Sequence, residues 1–465
     1  MIKANGKRKK CVYELLHRSF LLLPSNPVTF ISMSVPGPAP VKEVEISEEP
    51  RRSSFAALRH RDFRLLWLGQ LISGTGSQMQ LVAINWHVYI LTRSPLALGI
   101  VGLVRVVPII ICSLVGGVVA DAVNRKRLML ITQSAMLISA AVLALVTQSG
   151  LKSVWPLYLL TAISSAATAF DNPARQALMP TLVPPAEFPN AVSLWLIVFQ
   201  LSMIGGPAVA GRLLGSYSPA IVYVINALSF LAVLAALLMM RASGRAEDEE
   251  AADKQSGISF SALTEGLRFV WRTPIIVQTM TLDFVATFFA SATALLPIFA
   301  AEILHVGATG FGILAAAPAA GAVIAAFTMA RLGNVRRQGA IVIASVAVYG
   351  AATLAFGLSR FFWLSLLMLA VTGAADTVST VLRQTIRQLV TPNSLRGRMT
   401  SVNMIFFMGG PQLGELEAGA VAALIGPTLS VVTGGVGCII AAALALLYAR
   451  SLMGYEGQGR RQSAE

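Results

Sequence analysis

The residues of this chain with chemistry to offer are charged side chains standing inside long apolar stretches. Asp283, Asp376, Glu415 and Glu417, with Arg105 and Arg212, interrupt runs otherwise built from Leu, Ile, Val, Ala, Phe and Gly. A charge withdrawn from water is costly unless it is paired or hydrated, so such residues mark ion or substrate paths. A carboxylate in that position holds its proton to higher pH than in water and can load and release one near neutrality. Asp283 is the first candidate for this role, with Arg105 as its ion-pair partner or as an anchor for an anionic substrate. Asp376 either titrates or hydrogen-bonds between helices. On a helix Glu415 and Glu417 are about 200° apart, so both cannot face one cavity, and one of them is structural or paired with a neighbouring helix. Arg212 can reach the membrane surface by snorkelling. Gln78, Gln80, Asn85 and Gln200 either line a path or hold helices together. His87 and His305 fall near the ends of their segments, which suits an interfacial place better than a proton relay.

The elements that must position these groups follow from composition. Of 465 residues, 55% are hydrophobic and only 12% charged, with a mean hydropathy of +0.70. A soluble domain carries about 25% charged residues, so a soluble enzyme is excluded. A membrane helix needs roughly 20 apolar residues, and the runs are too long and continuous for barrel strands. Twelve spans are predicted, at 63–91, 96–121, 128–149, 154–175, 190–214, 219–240, 275–301, 308–331, 339–357, 361–386, 399–424 and 426–449. The fold class is therefore an all-α integral membrane protein. Cys112 and Cys438 lie in apolar runs and read as small hydrophobes, with no disulfide framework or metal cluster. The net charge of +14 sits between the runs, where it orients a chain in a bilayer and does not signal nucleic acid.

Basic residues cluster on one side: Arg59, Arg61 and Arg64 before the first span, Arg125 to Arg127 after the second, and Arg175 after the fourth. Arg331, Arg336, Arg337, Arg383, Arg387, Arg396 and Arg398 continue the same parity. Both termini and the link between spans six and seven are thus expected in the cytoplasm. That link carries the acidic cluster Glu247 to Glu250, then Phe260, Leu263, Leu267 and Trp271 at the spacing of a helix lying on the membrane surface.

The chain also repeats itself. At an offset of 208, Trp155 matches Trp363, Arg175-Gln176 match Arg383-Gln384, Pro184 matches Pro392, and Phe199 matches Phe407. Two homologous six-helix halves are expected, 55–240 and 259–450, joined by a cytoplasmic linker over 241–258. Parallel repeats of this kind place a substrate site between the halves near mid-membrane. Residues 1–54 are expected as a cytoplasmic, disordered tail and 451–465 as a second tail. The first 32 residues are either a non-functional leader upstream of Met33 or a basic segment touching anionic lipid.

The loop after span two reads Gly117-Val-Val-Ala-Asp121-Ala-Val-Asn124-Arg125-Lys126-Arg127. It resembles the G-x-x-x-D-R-x-G-R-[KR] loop of the major facilitator superfamily. By that resemblance Gly117 permits close packing, Asp121 caps or pairs across the halves, and Arg125 and Lys126 supply reversible ionic partners for a gate. Ala122 and Asn124 depart from the pattern, although Asn tolerates a left-handed turn. Span five carries Gly205-Gly206-Pro207-Ala-Val-Ala-Gly211, similar to the G-P-x-x-G-G element of exporter branches. Proline bends the helix and the glycines allow close contact, so this helix can seal one end of a cavity.

With Leu58-Arg-His-Arg-Asp62-Phe63-Arg64 before span one, Gly266-Leu-Arg268 to Pro274 before span seven, and Gly409 to Gly419 in span eleven, the chain resembles the enterobactin-exporter-like branch, or transmembrane secretion effectors. The resemblance implies the major facilitator fold and a proton-driven exporter of siderophores, macrolides or other amphipathic molecules in the bacterial cytoplasmic membrane. It also implies a monomer needing no cofactor, with protons, a small-molecule substrate and the lipid bilayer as partners. The arginine that proton antiporters of the superfamily often carry within span four is missing between Tyr158 and Phe170. A proton-coupled importer is the nearest alternative and a non-transporting membrane protein a more distant one. No catalytic constellation, H-E-x-x-H or P-loop is present, so an enzyme is not expected.

Overall fold

The computed structural model describes residues 55–242, 267–333, 335–392 and 395–456. Expectations placed on 1–54, on the linker and surface helix over 243–266, and on the side chains of Gly117 and Asp121 lie outside the described residues. Twelve long helical segments follow one another. The first half comprises α1 (Arg61–Thr92), α2 (Pro95–Ala122), α3 (Arg125–Gln148), α4 (Trp155–Leu178), α5 (Phe188–Leu214) and α6 (Pro219–Met239). The second comprises α7 (Pro274–Phe289 and its continuation to Ile303), α8 (Gly307–Leu332), α9 (Gln338–Leu358), α10 (Phe362–Val390), α11 (Arg396–Ile425) and α12 (Pro427–Tyr448). All twelve fall where the apolar runs predict them.

Their ends are written locally. Ser94 and Ser218 each cap a helix whose first residue is proline, accepting from the amides of Ala97 and Ala220 at 3.4 and 3.1 Å; a proline there forfeits no helical hydrogen bond. Asn124 also caps, accepting from the Arg127 amide at 3.0 Å with φ −55°. It therefore serves as a helix cap, and the left-handed conformation that asparagine tolerates is not used here.

Nine of the described segments are apolar enough to span a bilayer by composition alone. The other three, α1, α4 and α11, are interrupted by polar residues, including Gln70, Gln78, Asp171, Arg175, Glu415 and Glu417. Polar helices are stable in a membrane when they face protein or an aqueous path.

The single span expected over 275–301 is broken. Its α-helix stops at Phe289, and a 3-10 turn (Ala292–Leu295), a short α turn and a π turn (Phe299–Ile303) complete the crossing. Pro297 has no amide to give to the preceding turn, and Ser291 spends its hydroxyl on the Pro411 carbonyl of α11 at 3.1 Å.

Helix contacts repeat between the halves: α1 with α5 and α6 as α7 with α11 and α12, α3 with α4 and α6 as α9 with α10 and α12, and α2 with α4 as α8 with α10. Across the halves α2 packs on α11, and α5 packs on α8. This exchange is what a two-fold relation between two six-helix bundles requires.

The core divides in the same way. At the end where α1 finishes, here called distal, one hydrophobic cluster draws on both halves, from Tyr89, Leu98 and Ala210 to Phe299, Phe311 and Phe356. At the proximal end there are two clusters. One is built from Phe63, Met129, Leu178 and Leu237 of the first half, the other from Ile276, Val342, Ile386 and Leu452 of the second.

Candidate functional site

Asp283 sits on the face of α7 that also carries Thr279 and Ala286, four residues before and three after it, all buried. Its Oδ1 lies 2.7 Å from Nη2 of Arg383 on α10, and the two side chains are 7% and 1% exposed. Asp376, also on α10, places Oδ1 3.8 Å from the same Nη2. Residues 376, 380, 383 and 387 recur at helical spacing and form one stripe on α10. Along it Arg383 donates to Thr380 Oγ1 at 2.9 Å, and Arg387 donates to Asn403 of α11. Arg383 Nε is buried without a hydrogen-bond partner. One guanidinium is thus shared by two carboxylates, of which Asp283 is 7% exposed and Asp376 keeps 47% of its side chain accessible.

The pairing differs from the sequence expectation. Arg105 lies within electrostatic reach of Glu415 across the α2–α11 contact, and Asp283 is held by Arg383, which reads in the sequence only as a topology marker. Hydropathy assigns an arginine near a helix end to the loop, whereas α10 runs on to Val390 and buries it. The same holds in the first half, where Arg175 donates to Asp171 at 3.1 Å and to Gln70 of α1 at 3.2 Å. Asp171, 2% exposed, also accepts from Thr132 and Gln133 of α3 at 3.0 and 2.9 Å. The signal for both arginines is the identity of Arg175-Gln176 with Arg383-Gln384 in the repeat.

The remaining candidates divide by place. Gln78 packs its Cβ beside Gly206 of α5, while Gln80 accepts from Asn226 of α6 at 2.7 Å and is a link inside the first half. Asn85 and Glu417 are partly buried. His87, five residues before the end of α1, is 6% exposed and bonded to Tyr223 of α6 at 3.2 Å, so its ring faces protein. Arg212 is exposed and donates to Ser216. Arg125 and Lys126 donate to the carbonyls of Ala177 and Met240 at 3.1 and 2.6 Å, so they tie the start of α3 to the ends of α4 and α6 within the first half.

The distal end is closed by small residues and one hydrogen bond. A Cβ on Gly211 of α5 would come within 2.6 Å of the Gly312 Cα of α8, and one on Gly419 of α11 within 2.8 Å of the Gly99 Cα of α2. Around Pro207, Gly206 packs instead on α1, as Gly410 and Gly414 beside Pro411 pack on α7. The Tyr89 hydroxyl donates to Glu302 of α7 at 2.8 Å, Arg93 approaches the same carboxylate at 4.0 Å, and Trp86 stacks on Phe311 with ring centroids 5.6 Å apart. Among the described residues, these side-chain links between the halves all lie in the distal part.

Comparison with known proteins agrees with this architecture. Residues 52–460 match the family described as transmembrane secretion effector. The chain is 25% identical over 370 residues to the multidrug efflux pump Tap of Mycolicibacterium fortuitum, covering 77% of this chain and 88% of that protein. It is 26% identical over 388 residues to the enterobactin exporter EntS of Shigella boydii, covering 83% and 92%. Among solved structures, a bacterial homologue of the human lysosomal transporter Spinster, inward-facing and unoccupied, matches with a TM-score of 0.67 at 15% identity, covering 84% of this chain and 98% of that one. The nucleoside transporter NupG matches with a TM-score of 0.59 at 16% identity, covering 84% and 98%. These two share the major facilitator fold with this chain.

Proposed function

The chain belongs to the transmembrane secretion effector family, and from that premise we propose that it exports an amphipathic small molecule, siderophore-like or drug-like, in exchange for protons. Family and fold make it a multi-pass membrane transporter and not an enzyme. The proximal end is cytoplasmic, as are both termini, in a bacterial cytoplasmic membrane; the bias of basic residues supports this orientation. With the distal end sealed, the conformation is one that takes cargo from the cytoplasm. Rocking of the two halves about the central cavity then opens the distal contacts and closes the proximal side, where Asp121 and the basic loop form the gate.

The observation that carries the antiport reading is the single Arg383 guanidinium placed between Asp283 and Asp376. With Asp283 ionised, the Asp283–Arg383 pair is compensated and the site is ready for cargo. A proton arriving on Asp283 from the outer side releases Arg383 toward Asp376, and the changed α7–α10 contact biases the halves back inward. Gln78 and Asn85 of α1 and Glu417 of α11 contribute polar contacts along the cargo path, and Arg105 with Glu415 holds α2 to α11. Direction is tested with radiolabelled siderophores and macrolides in membrane vesicles of both orientations. Export gives accumulation in inside-out vesicles whose lumen is acidic, so that protons leave as cargo enters, and it is abolished by an uncoupler. Accumulation only in right-side-out vesicles makes the protein an importer and overturns the reading.

A further inference from the structure

Behind the ion pair, inside the second half, lies a cavity of about 110 Å³ walled by Ala290 at the α7 break, Pro318 of α8, Tyr349 and Thr353 of α9, and Thr372 and Asp376 of α10. Its polar wall is made of oxygen lone pairs. Thr353 Oγ1 donates its proton to the Tyr349 carbonyl at 2.9 Å, and Thr372 Oγ1 donates to the Leu369 carbonyl at 2.7 Å. The Tyr349 hydroxyl points its proton at the Ala290 carbonyl, 3.4 Å away. Three hydroxyl oxygens with acceptor capacity therefore line the same cavity as the Asp376 carboxylate, with Phe356 and Leu369 as its apolar wall, and the chain at Ala290 has left its helix, as in transporters whose interrupted helices hold coupling cations.

Charge agrees with the lining. Asp283 is paired with Arg383 at 2.7 Å and is also within electrostatic reach of Arg387, which leaves Asp376, 3.8 Å from Arg383, as the carboxylate without a close ion pair. Arg387 stands eleven residues beyond Asp376, roughly 16 Å along the helix, and is committed to Asn403. Other titratable groups near Asp376 are Tyr349 and, beyond it, Cys438 of α12, while α8 gives the wall Pro318. A site of neutral oxygens with one carboxylate suits a hard monovalent ion better than a divalent one, which gathers several carboxylates.

We infer that this cavity is a binding site for a monovalent metal cation of sodium size, held by Asp376 with the hydroxyls of Thr353, Thr372 and Tyr349. The inference goes beyond the antiport reading: the residues that line this cavity all belong to the second half. It is tested on the purified full-length protein in lipid nanodiscs, by retention of radioactive sodium in choline buffer. Wild type shows one saturable site, displaced by unlabelled sodium and not by choline. Asp376→Asn abolishes it. Thr353→Val and Thr372→Val each weaken it about fivefold, the scale of one lost polar contact, while leaving thermal unfolding and the elution profile near wild type. No saturable retention by folded wild type, or retention indifferent to all three substitutions, overturns the site. Proton release on cargo addition is a separate readout, so failure of the antiport reading leaves sodium retention in place, and the reverse.

Discussion

Arg383 of α10 lies 2.7 Å from Asp283 of α7 and only about one ångström further, at 3.8 Å, from Asp376 of its own helix. A buried guanidinium with two carboxylates in reach has two compensated positions. Removing one partner of such a pair strands the other, at a cost of about 3–5 kcal/mol, whereas replacing both with apolar groups is often neutral. Asp283→Leu and Arg383→Leu are each expected to lower the thermal midpoint strongly. The double variant should recover part of the loss, since Asp376 still lacks its guanidinium, and remain inactive in transport. Equal instability of the double variant and the singles would contradict a compensated pair.

The distal seal makes a steric prediction. Gly211→Val forces a side chain onto Gly312, while Gly205 has open space beside it. Spin labels at Tyr217 and Phe361, both exposed at the distal end, report the gap between the halves in a cysteine-free background. Gly211→Val should widen the distance distribution and reduce transport about tenfold or more, the effect of biasing a two-state equilibrium by 1.4 kcal/mol. Gly205→Ala should leave both unchanged. Widening by both substitutions, or by neither, would remove close packing as the cause of closure.

Tyr89 and Glu302 join the halves by one hydrogen bond. Glu302 is half-exposed, so Tyr89→Phe strands no buried charge and should cost about 0.5–1 kcal/mol. The same pair of labels should then show a two- to fivefold gain in the open-distal population, about what that energy supplies. No change would mean that the hydrogen bond merely accompanies closure.

Asp171 offers a contrast with Asp283. It accepts from Thr132, Gln133 and Arg175 in a network confined to the first half. Asp171→Asn is expected to lower stability by about 1–3 kcal/mol, read by thermal unfolding, while molecules that fold keep cargo-driven proton movement. Loss of proton movement at full stability would make Asp171 part of the coupling machinery.

Most of the fold was legible because long apolar runs dictate helices and the repeat dictates their pairing. Asp283 and Asp376 stood out for the same reason, as charges inside such runs. Arg383 and Arg175 did not, since hydropathy along a line cannot distinguish an arginine in solvent from one buried in the last turns of a long helix. Asp171 falls inside the predicted span 154–175, but its partners Thr132 and Gln133 on α3 cannot be read from linear order. The α7 break at Ala290 and Ser291 was hidden by apolar neighbours, although Pro297 hinted at it. His87 lies near the end of α1 as its position in the run predicts, but its bond to Tyr223 depends on helix pairing that linear order does not give. The distal closure depends on which glycines meet across the halves, and one chain's linear order does not carry that.

The central claim, that Asp283 and Arg383 couple cargo export to proton movement, is tested most directly in liposomes enclosing a pH-sensitive dye under an imposed proton gradient. Siderophores and macrolides are added to wild type, to Asp283→Asn and to Asp171→Asn. The account predicts cargo-driven proton release through wild type and through folded Asp171→Asn, and none through Asp283→Asn. A response from Asp283→Asn equal to that of wild type, or cargo transport without proton movement in wild type, would contradict it.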